Sequence, residues 1–322
     1  MTAHHAYTQH HPVGTRVPLV LDSPHSGSHY PDDFGAQVSL DQLRQAEDAY
    51  VDELFGAGPS LGATLVAARF PRVYIDPNRS VLDIDASLLA SAWPGPALAS
   101  RKTELGIGLI WRLLDTGEPI YGRKLSVDEV AQRITRYHQP YQKAVKDALD
   151  DTHAHFGAVW HINCHSMPAV STAVAAEGPG IPRPDFVLGD RDGTTCEAEF
   201  THFVRETLVG MGFEVKVNDP YKGVELVRAF SDPGSRRHSL QIEVNRRLYM
   251  NERTREKSGD FGALAQSITA LLGKVARYAA DRGSHHCGHA HDHANCGHDH
   301  HHHDHHHEAH SSGPKKSGGA AP

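Results

Sequence analysis

The sequence is poor in several features that would assign a protein to a broad class. Its four cysteines are far apart, at positions 164, 196, 287 and 296, so they do not form the closely spaced set of a disulfide-stabilised secreted domain. No apolar run approaches the roughly 18 residues that a membrane span requires. The first residues lack the charged and apolar segments of an export signal. We therefore expect a cytoplasmic protein without a membrane span.

The sequence also lacks an excess of basic residues. Lysine and arginine number 32 against 39 aspartates and glutamates, and the formal net charge is −7. This balance argues against a nucleic-acid partner, which proteins bind through basic surfaces. The 322 residues suffice for one large or two ordinary domains. We expect a small-molecule partner, and the composition leaves both a monomer and a homodimer open.

Composition divides the chain into three segments. Residues 1–16 are polar and predict a flexible lead, whereas residues 17–282 contain the apolar runs of a folded domain. Residues 283–322 cannot bury a core, because their first part is almost only His, Asp, Cys, Gly and Ala and holds about half of the chain's 27 histidines. Cysteines interleaved with His-x-His units distinguish this segment from an expression tag. They predict a disordered tail that binds additional zinc, nickel or copper.

Strand-like and helix-like segments alternate within residues 17–282, which is typical of an α/β domain. The predicted strands include residues 17–22, 63–68, 73–76, 107–112, 158–164, 185–190, 213–218 and 237–246. Helical spacing covers residues 42–54, 126–155, 195–211 and 257–282. Ser126 and Glu129 form a capping box at the start of the second helix, and Pro140 predicts a break inside it.

Two histidines follow predicted strands. His165 ends the apolar run that begins at Ala158, and His25 lies just after the run of residues 17–22. Ligands of open α/β sheets bind beyond the carboxyl ends of the strands. A single histidine in such a turn is equally well explained by local hydrogen bonds, but two at corresponding positions favour one shared site.

Other polar residues occupy similar positions. Asn78 and Arg79 follow the predicted strand 73–76, and arginine is well shaped to bind a carboxylate through two hydrogen bonds. Asp190 ends a further strand. Glu243 lies in the middle of a core-like strand, where an unpaired carboxylate is costly, so a functional role is favoured.

The sequence does not settle the role of two further segments. Asp48 and Asp52 share a face of the predicted helix 42–54, and such pairs usually mark a solvated surface, although the periodicity does not fix the direction of Asp48. Residues 91–108 are rich in Ala, Ser, Pro and Gly and predict a long loop, of the kind that often covers an active site.

Two histidines and a carboxylate with one open position are the ligands of a catalytic zinc site, where the metal activates water and polarises a carbonyl. A separate glutamate can then accept the proton of the water. Cys164 lies inside a strand as a structural thiol would, so it is not a candidate nucleophile. The residues therefore predict metal-assisted hydrolysis of an amide on a carboxylate-bearing molecule.

Seven segments resemble the N-formylglutamate amidohydrolase family, in the same order and over about residues 15 to 280. They are residues 19–27, 50–54, 74–79, 121–125, 163–168, 219–223 and 240–249. The resemblance implies a single-domain, phosphorylase/hydrolase-like three-layer α/β fold with a mixed central sheet, related to zinc carboxypeptidases. It also implies hydrolysis of N-formyl-L-glutamate to formate and L-glutamate, the last step of one route of histidine degradation.

The resemblance assigns roles to individual residues. His25 and His165 correspond to the two histidine ligands of the metal, for which zinc is expected. Asn78 and Arg79 resemble the pair that holds the substrate carboxylate in the wider group, and Glu243 resembles the general base.

The third metal ligand is a departure from the wider group. That group often has His-x-x-Glu, whereas position 28 is Ser here. The acidic ligand must then come from elsewhere, and we expect Asp48 rather than Asp52 or Glu47.

A second arginine would stabilise the oxyanion and the γ-carboxylate. Arg228, Arg246 and Arg247 are equal candidates for it. Two alternative functions remain open at this point: hydrolysis of another N-acyl acidic amino acid, and metal storage or delivery through the tail.

Overall fold

A computed structural model of the protein describes residues 6–173, 175 and 178–287. Its strands are β1 (Tyr7–His10), β2 (Leu19–Ser23), β3 (Thr64–Ala68), β4 (Val159–Met167), β5 (Phe186–Gly189), β6 (Val215–Val217) and β7 (Arg237–Asn245). Its α-helices are α1 (Leu40–Arg44), α2 (Val51–Leu54), α3 (Arg101–Glu104), α4 (Val127–Arg133), α5 (Gln139–Phe156), α6 (Ala198–Gly210), α7 (Glu225–Phe230) and α8 (Phe261–Cys287).

The seven described strands form one mixed sheet in the order β1-β3-β2-β4-β7-β5-β6. The central neighbours β3, β2, β4 and β7 are parallel, whereas β1 and β5 run antiparallel to β3 and β7. Strands β4 and β7 have nine residues each and are buried along almost their whole length. The predicted mixed α/β domain is thereby confirmed.

Alternating side chains give β4 and β7 one apolar face and one polar face. The apolar residues pack in a core with α2, α6 and α8, and they are Trp160, Ile162, Cys164, Leu240, Ile242 and Val244. A second core contains residues of α4, α5 and the segment 70–125. The residues that alternate with the apolar ones face this second layer, and they are His161, Asn163, His165, Ser239, Gln241 and Glu243. The functional candidates on these strands therefore share one face.

Asp22 at the end of β2 joins the polar residues of this face. Its carboxylate accepts hydrogen bonds from Tyr141 Oη at 2.7 Å, from Asn163 Nδ2 at 2.7 Å and from His161 Nε2 at 2.8 Å. Burial opposes its ionisation, but these hydrogen bonds outweigh that effect and lower the pKa of Asp22. An ionised carboxylate thus fixes the side chains of β4 beneath the site.

Several predicted elements have different limits in the structure. Tyr7–His10, expected in the flexible lead, form the edge strand β1, where polar side chains can alternate with half-buried ones. The predicted strands 73–76 and 107–112 are irregular, although the N–H of Asp76 donates to the carbonyl of Leu109 at 2.8 Å. The predicted helix over 126–155 has its capping box, but a π-helical segment, Ile134–His138, interrupts it before Pro140.

Helix α8 crosses the expected start of the tail and continues to Cys287. Of the predicted metal-binding tail, residues 283–322, the part from residue 288 onward lies outside the described residues, as do residues 1–5. Within the described part of the chain, no helix is both long enough and apolar enough to cross a membrane.

Gly27, in the turn after β2, lies very close to the backbone of Phe70. A Cβ atom at this position would lie far inside van der Waals contact with the carbonyl oxygen of Phe70. We expect Gly27→Ala to lower the free energy of unfolding by about 1–3 kcal/mol, as overpacking does. Urea denaturation measures this. The control, Gly259→Ala, adds a methyl group to open space and should change stability by less than about 0.5 kcal/mol. Equal effects of the two substitutions would contradict the proposed close approach.

Candidate metal centre and active site

Two adjacent parallel strands place the two predicted histidines side by side. His25 follows the end of β2, and His165 is the seventh residue of β4. Both side chains are buried, and their ring centroids are 4.6 Å apart. The structure thus brings together the two histidines that the strand ends predicted.

Asp48 reaches the histidines because the predicted helix 42–54 is broken. Residues 45–50 connect α1 and α2, and Tyr50 adopts a left-handed conformation with φ of 64°. Within this connection, the N–H of Asp48 donates to the carbonyl of His25 at 3.0 Å. The break directs the Asp48 side chain inward, a direction that helical periodicity could not decide.

The three side chains converge on a small volume. Asp48 Oδ2 lies 3.0 Å from His165 Nδ1 and 3.3 Å from His25 Nδ1. Ligands of a tetrahedral zinc ion at about 2.0–2.1 Å are separated from one another by about 3.3 Å. The distances therefore fit a metal ion held by His25, Asp48 and His165.

The outer nitrogens of both imidazoles have hydrogen-bond acceptors. His25 Nε2 lies 2.7 Å from Asp76 Oδ1, and His165 Nε2 lies 2.7 Å from Asn163 Oδ1. The Asn163 oxygen is fixed as the acceptor because its Nδ2 donates to Asp22. Asn78 Nδ2 also lies 3.1 Å from His165 Nε2. With the ring protons on Nε2, the Nδ1 lone pairs face the carboxylate of Asp48, as metal binding through Nδ1 requires. Three electron-rich atoms that face one another form an environment for a cation.

The carboxylate of Asp48 also has cationic neighbours. Oδ1 accepts a hydrogen bond from Arg246 Nη2 at 2.9 Å and lies 3.7 Å from Arg72 Nη1. Burial opposes ionisation of Asp48, but its contacts with His165 and His25 and the charge of Arg72 outweigh burial and hold its pKa well below the usual range. Asp48 is therefore ionised, as a carboxylate ligand of a metal ion must be.

Arg246 was one of the candidates for a second substrate-binding arginine. It lines the cavity, and its donors contact Asp48, Ser166 Oγ at 3.1 Å and the carbonyl of Gln45 at 3.3 Å. Its described contacts thus hold Asp48 and the neighbouring strand in place.

Glu243 lies opposite His165 in the pairing of β7 with β4. Its Oε1 accepts a hydrogen bond from Gln241 Nε2 at 2.8 Å. Burial raises the pKa of Glu243; the positive environment of His165 opposes this shift and the charge of Asp48 adds to it. A carboxylate with a raised pKa beside the ligand group is suited to accept a proton.

These residues line a cavity of about 170 Å³. Its basic residues are Arg72, Arg79, Lys102, Arg183 and Arg246. Arg79 is held by hydrogen bonds from Nε to the carbonyl of Ile107 at 3.1 Å and from Nη1 to the carbonyl of Asn78 at 3.0 Å. Asn78 and Arg79 therefore line the cavity together, and its charge suits a small anionic molecule.

A larger groove of about 780 Å³ lies between α6 and α8. It shares no residue with the cavity at the ligand group and is more open to solvent. We assign the site to the smaller cavity, because the converging ligands and Glu243 are there.

The other two candidate arginines lie elsewhere. Arg228 is on α7, has 54% of its side chain exposed and pairs with Glu225 at 2.8 Å. Arg247 pairs with Asp185 at the surface. Neither lines the cavity.

The remaining acidic candidates also have other contacts. Glu47 accepts a hydrogen bond from Tyr30 Oη at 2.9 Å, and Asp52 lies on α2 outside the cavity. Asp190 accepts a hydrogen bond from Thr201 Oγ1 at 2.8 Å and stabilises a turn.

Sequence reasoning missed Arg72, Asp76, Lys102 and Asn163. Asn163 had a usable signal, because it lies two residues before His165 and therefore on the same face of its strand. Arg72 and Lys102 lie in segments whose sequence shows neither helical nor strand periodicity. The direction of their side chains could therefore not be predicted.

The fold and the site together define a hydrolase of mixed α/β fold with a buried centre that can hold a metal ion. The family model of N-formylglutamate amidohydrolase matches residues 17–250. The chain belongs to this family, as its motifs predicted.

Individual relatives agree with this assignment. The N-formylglutamate deformylase of Pseudomonas putida is 27% identical over 252 residues, which cover 74% of this chain and 83% of the relative. The enzyme of the same name from Pseudomonas aeruginosa is 25% identical over 248 residues, covering 74% and 84%. The crystal structure of N-formylglutamate amidohydrolase from Ralstonia eutropha JMP134 superimposes with a TM-score of 0.82 at 49% identity, covering 86% of this chain and 99% of that one.

The hydrogen bond between His25 and Asp76 predicts a contribution to metal affinity. We expect Asp76→Asn to weaken zinc binding by about 10- to 100-fold, because it weakens the acceptor that orients the imidazole. Competition with a chelating dye measures this on chains that end at residue 282, so that the tail does not compete. Asp147→Asn changes an exposed carboxylate on α5 and should leave the affinity unchanged. Unaltered affinity in Asp76→Asn would exclude the orienting role.

Proposed function

We propose that this protein is a metal-dependent amidohydrolase that cleaves N-formyl-L-glutamate into formate and L-glutamate. The observation that carries the proposal is the buried group of His25, Asp48 and His165 beside Glu243 in a basic cavity. Family membership and the names of the relatives suggest the formyl amide and the glutamate portion as substrate.

Zinc is the metal that we propose for the group. Two imidazole nitrogens and one carboxylate oxygen are a typical ligand set of catalytic zinc. When bound, the ion would polarise the formyl carbonyl and lower the pKa of a water molecule. The hydrogen bonds of Asp76 and Asn163 keep the two imidazoles in the tautomer that such binding needs.

Glu243 is the proposed general base. It accepts a proton from the water that attacks the formyl carbon, and it then delivers this proton to the amide nitrogen as the C–N bond breaks. One water molecule is consumed, the formyl carbon leaves as formate, and the nitrogen leaves as the amine of glutamate. Its position opposite His165 and its raised pKa support this role.

Arg79 is the proposed anchor of the substrate α-carboxylate. Two carbonyl oxygens fix its guanidinium, so a carboxylate can bind to the remaining donors without a large loss of side-chain freedom. Arg72 and Arg246 are paired with Asp76 and Asp48, and their charge stabilises the oxyanion that forms on the formyl carbonyl.

The biological setting is also a proposal. Release of glutamate from its formyl derivative would be the last step of a histidine-degradation route in the cytoplasm. The buried free thiols of Cys164 and Cys196 support a reducing compartment.

Formate release from N-formyl-L-glutamate by the zinc-loaded chain tests the reaction. We expect Glu243→Gln to lower kcat by about 10²- to 10⁴-fold, because the proton acceptor is lost, while zinc stays bound. Glu206→Gln removes an exposed carboxylate of α6 and should retain full activity. Turnover of a larger N-acyl amino acid instead of the formyl compound would contradict the proposed substrate.

A second test concerns the tail. We expect removal of residues 283–322 to leave kcat and KM unchanged at saturating zinc, since every residue assigned to the site lies between positions 25 and 246. The full chain should bind more zinc, nickel or copper per molecule than the shortened one, which elemental analysis measures. Loss of turnover in the shortened chain at saturating zinc would contradict a tail that acts apart from catalysis.

A further inference from the structure

Helix α3 carries a basic residue into the cavity. The helix lies in the segment 91–108, and Ser100 caps it by accepting a hydrogen bond from the N–H of Lys102 at 3.1 Å. Asp83 accepts hydrogen bonds from Ser100 Oγ at 2.8 Å and from the hydroxyl of Thr103. Because a buried carboxylate fixes both ends of this short helix, Lys102 has a defined position.

Lys102 differs from three arginines of the cavity in its ion pairs. Arg72 and Arg79 approach Asp76 at 3.0 and 3.5 Å, and Arg246 approaches Asp48 at 2.9 Å. Among the described residues, no carboxylate oxygen lies within ion-pair distance of the Lys102 ammonium group. A half-buried cation without a carboxylate partner favours binding of an anion from solution.

We infer that Lys102 determines specificity by binding the side-chain carboxylate of the substrate, while Arg79 binds the α-carboxylate. This inference rests on the proposed function. Asn78, next to Arg79, lies 3.1 Å from His165, so Arg79 is near the ligand group and suits the carboxylate closest to the formyl group. The side-chain carboxylate is two methylene groups further away, and Lys102 of α3, which also lines the cavity, is the cation for it.

The charge state of Lys102 gives a second readout. Burial lowers its pKa to about 8, and the charges of Arg79 and Arg72 act in the same direction, while Asp76 and Glu243 oppose them. Asp115 also faces this group across the cavity. Lys102 is protonated below this pH and loses its charge above it.

The test compares N-formyl-L-glutamate with N-formyl-L-glutamine, which has a neutral side chain of the same shape, on the full zinc-loaded chain. We expect Lys102→Met to lower kcat/KM for the glutamate compound by about 10- to 100-fold, mainly through KM. The same substitution should change kcat/KM for the glutamine compound by less than about threefold. Lys102→Arg keeps the charge and should retain most of the activity. Arg101→Met, on the exposed face of the same helix, is the matched control and should behave as the unaltered chain does.

The pH profile checks the charge directly. For the unaltered chain, kcat/KM for N-formyl-L-glutamate should fall as the pH rises through about 8, because Lys102 loses its proton. Lys102→Arg should move this fall to higher pH, and the glutamine compound should not show it.

An equal loss on both substrates in Lys102→Met, or no loss on either, would overturn the inference while leaving the proposed reaction intact. If the unaltered chain releases formate from neither compound, the proposed function fails, and the inference fails with it.

Discussion

Asp48 is a buried carboxylate, and an ionised carboxylate without compensating partners costs at least several kcal/mol to bury. Two histidines contact one of its oxygens, and Arg246 contacts the other. The backbone of Asp48 is in turn held by the carbonyl of His25. The position of the ligands, the break between α1 and α2 and the conformation of Arg246 therefore all depend on the same charge.

The sheet allows this charged centre to exist inside a packed domain. Strands β4 and β7 present apolar residues to α2, α6 and α8 and mostly polar residues to the opposite layer. Asp22 anchors the polar side by accepting hydrogen bonds from Asn163 and His161. Asn163 then contacts His165, so the hydrogen-bonded network extends from the middle of the sheet to the group that can hold a metal ion.

Residues governed by strand periodicity could be predicted from the sequence. His25 and His165 follow or end apolar runs, and Glu243 interrupts one, so their placement at one edge of a parallel sheet follows from general rules. The mixed α/β architecture follows from the same alternation of elements. The antiparallel edge strand β1 was missed because four polar residues do not show the pattern of a core strand.

Tertiary contacts determine the remainder of the site. The sequence around Asp48 predicts a continuous amphipathic helix. The hydrogen bond from the N–H of Asp48 to the carbonyl of His25 accounts for its interruption, and this contact is visible only in the structure. The positions of Arg72 and Lys102 depend on contacts that periodicity does not reveal. Arg72 donates a hydrogen bond to Asp76 at 3.0 Å, and Asp83 holds Ser100 at the start of α3, the helix that carries Lys102. Arg228 shows the opposite error, because its charge suggested a substrate contact although α7 turns it toward solvent.

The nine-residue pairing of β4 with β7 has a consequence for folding fidelity. A shift of either strand by one residue would exchange its two faces. His165 or Glu243 would then enter the aliphatic layer of α6 and α8, where each polar group would lose its partners at a cost of several kcal/mol. The polar residues of the proposed site therefore also disfavour misaligned sheets, and the correct alignment is selected before any ligand binds.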